Sequence, residues 1–168
     1  MAWAPKIKVF DEREAKNAII AYIKANQADA LAWANAEYAP PSLPPIKVFF
    51  KAPSTVTVFP ALTFIQSEHQ SVFEDVLLIS FSLTLEIAII HGDQETLADL
   101  SKRYAMAIES LLTNMPETTF GDKSIIDITS TMRSLDTVFA VQGKYRSKFI
   151  QIFQTKAAWT IEAAAYED

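Results

Sequence analysis

The chain has little of what most active sites are built from. Its 168 residues include no cysteine, three glycines (Gly92, Gly121 and Gly143) and two histidines (His69 and His91). The lack of cysteine excludes disulfide frameworks, thiol catalysis and zinc sites with cysteine ligands. Three scattered glycines cannot form a glycine-rich phosphate-binding loop. The sequence therefore points away from several common classes of enzyme and metalloprotein.

Long apolar runs and basic clusters are also missing. No uninterrupted apolar run reaches the ~18 residues of a membrane-spanning helix, which argues against a membrane span. We predict no membrane partner. Residues 1–6 lack the apolar stretch of a secretory signal, so we expect synthesis in a cytoplasm. The net charge of −5 disfavours a surface that grips nucleic acid. An acidic protein can still surround DNA without binding it.

The first patterned region predicts a helical segment over residues 11–38. Phe10 precedes Asp11, and Glu14 follows three residues later, which resembles a capping box. The helix carries an apolar stripe made of Ala15, Ala18, Ile19, Tyr22 and Ile23. This stripe ends between residues 26 and 29, and a further helical turn or two is predicted over residues 30–38. Prolines at positions 40, 41, 44 and 45 then predict a stiff connector over residues 40–45.

Strands are predicted over residues 46–90. A short strand spans 46–51, and a second spans 55–65 with an interruption at Pro60, which implies a sheet edge or a bulge. Residues 66–71 look like a polar turn. Residues 77–90 then carry apolar side chains on every second position, so one face is apolar and the other is mostly polar. At ~3.3 Å per residue this strand spans roughly 46 Å, against a diameter of about 40 Å for a compact domain of this length. It therefore crosses the whole domain, bends or projects beyond it.

The second half repeats the order of helix and strands. Asp93 is placed to cap a long helix over residues 93–115, whose apolar stripe predicts a buried face. That stripe comprises Leu97, Leu100, Tyr104, Ile108, Leu111 and Met115. Further strands are predicted over 124–131 and 135–142, with Gly143 at a turn, and over 148–164, with a bulge or break near Lys156. The whole predicts a single α+β domain, residues 1–168, with a largely antiparallel sheet flanked by an N-terminal helix and one long central helix.

No catalytic, cofactor-binding or metal-binding residues are predicted. His69 and His91 both fall at predicted turns, separated by a whole strand, and solvent exposure explains them better than a metal site. Aromatic side chains are the stronger signal, because some of them can line a contact between subunits. The candidates for a subunit interface are Phe49, Phe50, Phe59, Phe64 and Phe73. Trp3 and Trp33 are further candidate anchors.

The order of elements resembles that of tail terminator, or tail completion, proteins of tailed bacteriophages. The resemblance is carried by the leading helix, the proline-rich approach, residues 59–64 (FPALTF) and residues 77–114 (LLISFSLTLEIAIIHGDQETLADLSKRYAMAIESLLTN). It implies a structural virion protein without catalytic residues. It further implies a homohexameric ring that caps the tail tube protein, meets the head–tail connector in the neck and lets genomic DNA pass through its lumen.

Three alternatives stay open. The long segment 148–164 leaves room for another neck or head-closure ring. A small-ligand binding domain would place Phe59, Phe64 and Phe73 around a pocket between sheet and helices. An enzyme using His91, Asp93 and a distant acid is the weakest of the three.

Overall fold

The computed structural model describes residues 10–37, 43–73, 76–140 and 148–163, with the backbone alone for 37 and 131–140. Within these residues, two helices and five strands follow one another. Their bounds are α1 (Glu12–Glu37), β1 (Val48–Phe50), β2 (Ala61–Phe73), β3 (Leu77–His91), α2 (Gln94–Thr113), β4 (Ser124–Ala140) and β5 (Phe149–Ala163). The predicted α+β class is confirmed.

The five strands form one sheet in the order β1-β2-β3-β5-β4. β1 runs parallel to β2, whereas β2–β3, β3–β5 and β5–β4 are antiparallel pairs. The four long strands therefore alternate in direction across the sheet. The predicted largely antiparallel sheet is confirmed, and the short strand β1 is the exception.

α1 is one continuous helix, although the sequence suggested a weakening between residues 26 and 29. Asp11 caps it: the Asp11 Oδ1 accepts hydrogen bonds from the backbone N–H groups of Arg13 at 2.9 Å and Glu14 at 3.4 Å. Beyond the polar stretch, Leu31 and Ala34 are buried and continue the apolar stripe. Burial of that second half holds the helix together where its local sequence is weak.

α2 follows the prediction closely. The side chain of Asp93 accepts a hydrogen bond from the backbone N–H of Thr96 at 2.8 Å, which starts the helix, and Asn114 is its C-cap. All six residues of the predicted stripe are buried: Leu97, Leu100, Tyr104, Ile108, Leu111 and Met115. The Ser101 hydroxyl donates to Gln151 on β5 at 3.0 Å, so a polar contact also joins this helix to the sheet.

β2 corrects the prediction of a polar turn over residues 66–71. The strand begins after Pro60 and runs to Phe73, and it pairs with β3 on both sides of one irregularity. A register shift between Phe64 and Gln66 marks a bulge at Ile65. The predicted strand 55–65 therefore began too early, since β2 begins at Ala61. The residues predicted as a turn belong to the outer half of the hairpin formed by β2 and β3.

β4 and β5 are each one strand. β4 joins the two predicted segments 124–131 and 135–142 into one, with register irregularities between Ile125 and Asp127 and between Ser134 and Val138. β5 pairs with β3 residue by residue from Phe149 to Ala163, so the bulge predicted near Lys156 is wrong. The irregularities lie in the edge strand instead, and Gly143 falls outside the described residues.

Helices cover one face of the sheet, and the core lies between. Alternate residues of β3 and β5 point into it, and its largest fully buried side chains are Trp159, Tyr104, Phe64, Phe81 and Phe153. At ~1.5 Å per residue α2 is about 30 Å long, whereas β3 at ~3.3 Å per residue is about 50 Å. β3 is therefore longer than α2, and inward side chains near both of its ends are buried, Leu77 and Ile79 at one end and Ile87 and Ile89 at the other. None of the helices in the described residues is both long and apolar enough to cross a membrane.

The segment after the connector is fastened to α1. The Gln27 side chain accepts a hydrogen bond from Ile46 N–H at 2.8 Å and donates to Ile46 C=O at 3.4 Å. Asn35 accepts from the N–H of Leu43 at 3.0 Å. These bonds satisfy backbone groups of an irregular segment and deliver the chain to β1. Residues 40–42 of the predicted connector 40–45 fall outside the described residues.

Candidate assembly surfaces

The face of the sheet opposite the helices is uncovered by other described elements. Its side chains come from the even-numbered positions of β3 and β5, most of which are half-buried or exposed. Two side-chain contacts cross it: Gln154 donates to Glu86 at 2.8 Å, and Ser82 donates to Glu68 at 3.2 Å. We call this surface the open face. It is a broad, mostly polar sheet surface, of the kind that antiparallel sheets expose on one side.

The described charges of the open face are mostly negative. Glu68, Glu86, Asp127 and Glu162 lie there with one lysine, Lys156, as the strand registers place them. Excess negative charge repels phosphate groups over about one Debye length, ~8 Å at physiological salt. The described part of this face is therefore unfavourable for binding phosphate groups.

The outer edge of β2 is free over most of its length among the described residues. β1 pairs with Ala61–Thr63, just before the bulge at Ile65, and no other described strand lies on that outer side of β2. Residues 66–73 are exposed apart from Ser67, and Val72 and Phe73 are 46% and 47% exposed. We call residues 66–73 the free edge. Its unpaired backbone N–H and C=O groups are a template for another strand.

A polar cluster holds the free edge to α1. Glu12 accepts from the Ser67 hydroxyl through Oε2 and contacts His69 Nδ1 through Oε1, each at 2.6 Å. Because a carboxylate only accepts, the His69 Nδ1 must carry the proton. The Ser67 hydrogen bond first, and the His69 hydrogen bond second, hold the pKa of the Glu12 carboxyl below its usual value. The ring of Phe10 packs on His69 with centroids 5.2 Å apart.

His69 therefore corrects the prediction that both histidines sit in exposed loops. It lies within a strand because the predicted turn is a strand. His91 does end β3, and its Nδ1 accepts a hydrogen bond from the backbone N–H of Asp93 at 3.0 Å. Among the described residues, no group of three or more His, Asp or Glu side chains is placed to hold a metal ion.

The five phenylalanines proposed as interface residues occupy different environments. Phe64 is 1% exposed and belongs to the core, so its side chain is not presented to a partner. Phe49 packs on the core, with Lys24 Nζ 5.1 Å from its ring centroid. Phe50 and Phe59 are half-buried. Phe73, at the end of the free edge, is the one most available for contact.

The predicted ligand pocket around Phe59, Phe64 and Phe73 does not form. Phe64 and Phe73 are nine positions apart on one strand, which at ~3.3 Å per residue separates them by about 30 Å. Phe59 lines a separate cleft with Pro44, Pro60 and neighbouring residues. The three phenylalanines therefore lie too far apart to line one pocket.

Sequence reasoning missed the exposed side chains that the edge strands present. Ile126 is 54% exposed at the first irregularity of β4, and Val72 precedes Phe73 on the free edge. One signal could have revealed the free edge: the strand over 77–90 needs an antiparallel partner of similar length. Trp33, the other predicted anchor, is 45% exposed on α1, and Trp3 falls outside the described residues.

Comparisons of the sequence and the fold with known proteins identify no family for this chain. No family model matches the chain, and no curated protein matches it significantly. Among solved structures, a chain of a virion of a native gene transfer agent (GTA) particle aligns with a TM-score of 0.42 and 9% identity. The alignment covers 90% of this chain and 94% of that chain. A likeness at this TM-score carries no argument about fold or function.

Proposed function

We propose that the chain is a structural virion protein without enzymatic activity, a tail terminator that assembles as a homohexameric ring. In this role the ring caps the tail tube protein, presents its other side to the head–tail connector and leaves a lumen for the genome. It would be made in the host cytoplasm and reside in the tail or neck of the virion. The order of helices and strands, which resembles that of tail terminators, supports this role.

The observation that carries the proposal is the free edge. A single copy leaves backbone groups of residues 66–73 unpaired among the described residues, next to exposed Val72 and Phe73. Monomeric proteins blunt such edges with charged or proline residues or cover them. Here the edge has one acidic residue, Glu68, and its end is apolar. Pairing with another copy shelters both features at once.

A ring requires a heterologous contact, in which two different surfaces meet and the rotation closes. Beyond the three residues that pair with β1, the described sheet has two different outer strands, β2 and β4. Two distinct edges on one sheet meet that requirement. The acidic open face supports the further expectation that DNA passes the protein without sequence-specific binding.

The proposal is tested by mass and by imaging. Light scattering coupled to size exclusion is expected to show about six times the 18.7 kDa subunit mass, alone or with tube protein present. Negative-stain images should show rings, and addition of the protein should stop growth of tube polymers. A monomer at every concentration, with and without tube protein, would contradict the proposal. Rings that bind the connector and ignore the tube would favour the alternative neck role.

A further inference from the structure

The strand directions determine how two copies can join by their edges. β2, β3, β5 and β4 alternate in direction, so β2 and β4 run opposite ways within one copy. If a second copy is placed beside the first with its helices on the same side, its β4 lies antiparallel to the first copy's β2. Antiparallel pairing is the more stable kind. Because β1 already pairs with Ala61–Thr63, the neighbour's β4 can pair only along residues 124–131 and has to leave the edge beyond them.

The register across the sheet also shows which residues would meet. Paired residues on neighbouring strands form rows that run straight across the sheet from β2 to β4. One row consists of Glu68, Ser82, Ala158 and Thr129. Another row consists of Gln70, Ser80, Thr160 and Asp127. If the rows of one copy continue straight into those of the next copy, which we call the unstaggered register, the neighbour's Thr129 lies opposite Glu68. The neighbour's Asp127 then lies opposite Gln70. All four side chains lie on the open face and are exposed.

Charge selects this register over its neighbours. Without stagger, each carboxylate faces a neutral donor: Glu68 faces the Thr129 hydroxyl, and Asp127 faces the Gln70 amide. A shift of two residues one way places Glu68 opposite Asp127, and like charges directly opposite are destabilising. The same shift the other way places exposed Val72 against Asp127, an apolar group against a charge.

We infer that copies of this chain join by antiparallel pairing of the free edge of one copy with residues 124–131 of β4 of the next, in the unstaggered register. This inference rests on the proposed ring and specifies its contact. It commits to a second copy of this chain as the partner of both edges, with the helices of all copies on one side.

Disulfide trapping tests the contact, and the chain suits it because it has no cysteine. The double variant Glu68→Cys with Thr129→Cys should, on mild oxidation, give a ladder of linked chains ending in a closed oligomer. Each single variant should stay unlinked. Ser80→Cys with Thr160→Cys is the matched control, because those residues are opposite within one chain and should link without a change of mass.

The outcomes separate this inference from the proposed function. Dimers from either single variant would show two-fold pairing of like edges and overturn the inference. Rings seen by light scattering, with no links in the double variant, would overturn the edge assignment and leave the ring intact. A persistent monomer without links would overturn both.

A charge variant gives a second test that does not depend on oxidation. Thr129→Asp places a carboxylate opposite the neighbour's Glu68 and should weaken association about fivefold per contact. Adding Glu68→Lys should restore it. Ser80→Asp adds the same charge to a strand paired on both sides and should leave association unchanged. Equal loss from Ser80→Asp and Thr129→Asp would overturn the inference.

Discussion

Single side chains decide how firmly the free edge is held before any partner binds. Glu12 joins the free edge to α1, because its two carboxylate oxygens form hydrogen bonds with Ser67 and His69 on successive inward positions of β2. Ser67 and His69 are polar residues in a stretch typical of a turn, and no sequence pattern indicates that Ser67 pairs with a helical residue 55 positions earlier. That pairing depends on the hairpin register, which single-sequence patterns do not specify.

Replacing Glu12 by glutamine should cost about 1 kcal/mol of unfolding free energy at pH 7, from the loss of charge-assisted hydrogen bonds. Because the folded-state pKa of Glu12 is lowered, its contribution is complete above the unfolded value, ~4.3, and is lost as pH falls through the folded value. The difference between wild type and Glu12→Gln in urea unfolding should therefore shrink below about pH 4. Glu14→Gln, in the same helical turn, is the control, and a difference independent of pH would contradict the assignment.

At the scale of whole elements, predictability follows burial. β3 and α2 were located correctly because one face of each is buried throughout, which imposes a clear period on the sequence. The outer half of β2 is exposed on both faces, so its sequence shows no alternation of apolar and polar residues that would indicate a strand. β4 was divided in two because its irregularities break the period. Of the predicted interface residues, Phe73 is exposed at the end of the free edge, and its role in a contact stays a prediction. The free edge itself was not predicted, because residues 66–71 were interpreted as a turn.

The aromatic contacts between β3 and its neighbours should carry much of the stability of this end of the sheet. Phe81 lies 5.1 Å from Phe10 and 5.5 Å from Trp159 between ring centroids, and is 1% exposed. Phe81→Ala should lower the unfolding free energy by about 3–5 kcal/mol. Phe73→Ala, on the adjacent strand but half-exposed, should change it by less than about 0.5 kcal/mol in the dissociated protein. Chemical denaturation measures both, and similar losses would contradict the burial pattern.

For the whole molecule, association and stability should be linked. If folded copies bind each other, thermal stability rises with concentration, because mass action favours the folded, associated state. Over a hundredfold range we expect the melting temperature to rise by about 5 °C. Thr129→Asp should reduce that slope, and Ser80→Asp should not. A melting temperature independent of concentration, measured by scanning calorimetry, would count against association.

β1 pairs with only the first three residues of β2, Ala61–Thr63, so the sheet is five strands wide at one end and four at the other. Each strand occupies about 4.8 Å of width, which makes every copy a wedge. Around the proposed ring of about six copies the two rims would differ by roughly 29 Å in circumference, or about 9 Å in diameter. The bore would then taper like a funnel, so the passage would have a wide mouth and a narrow one.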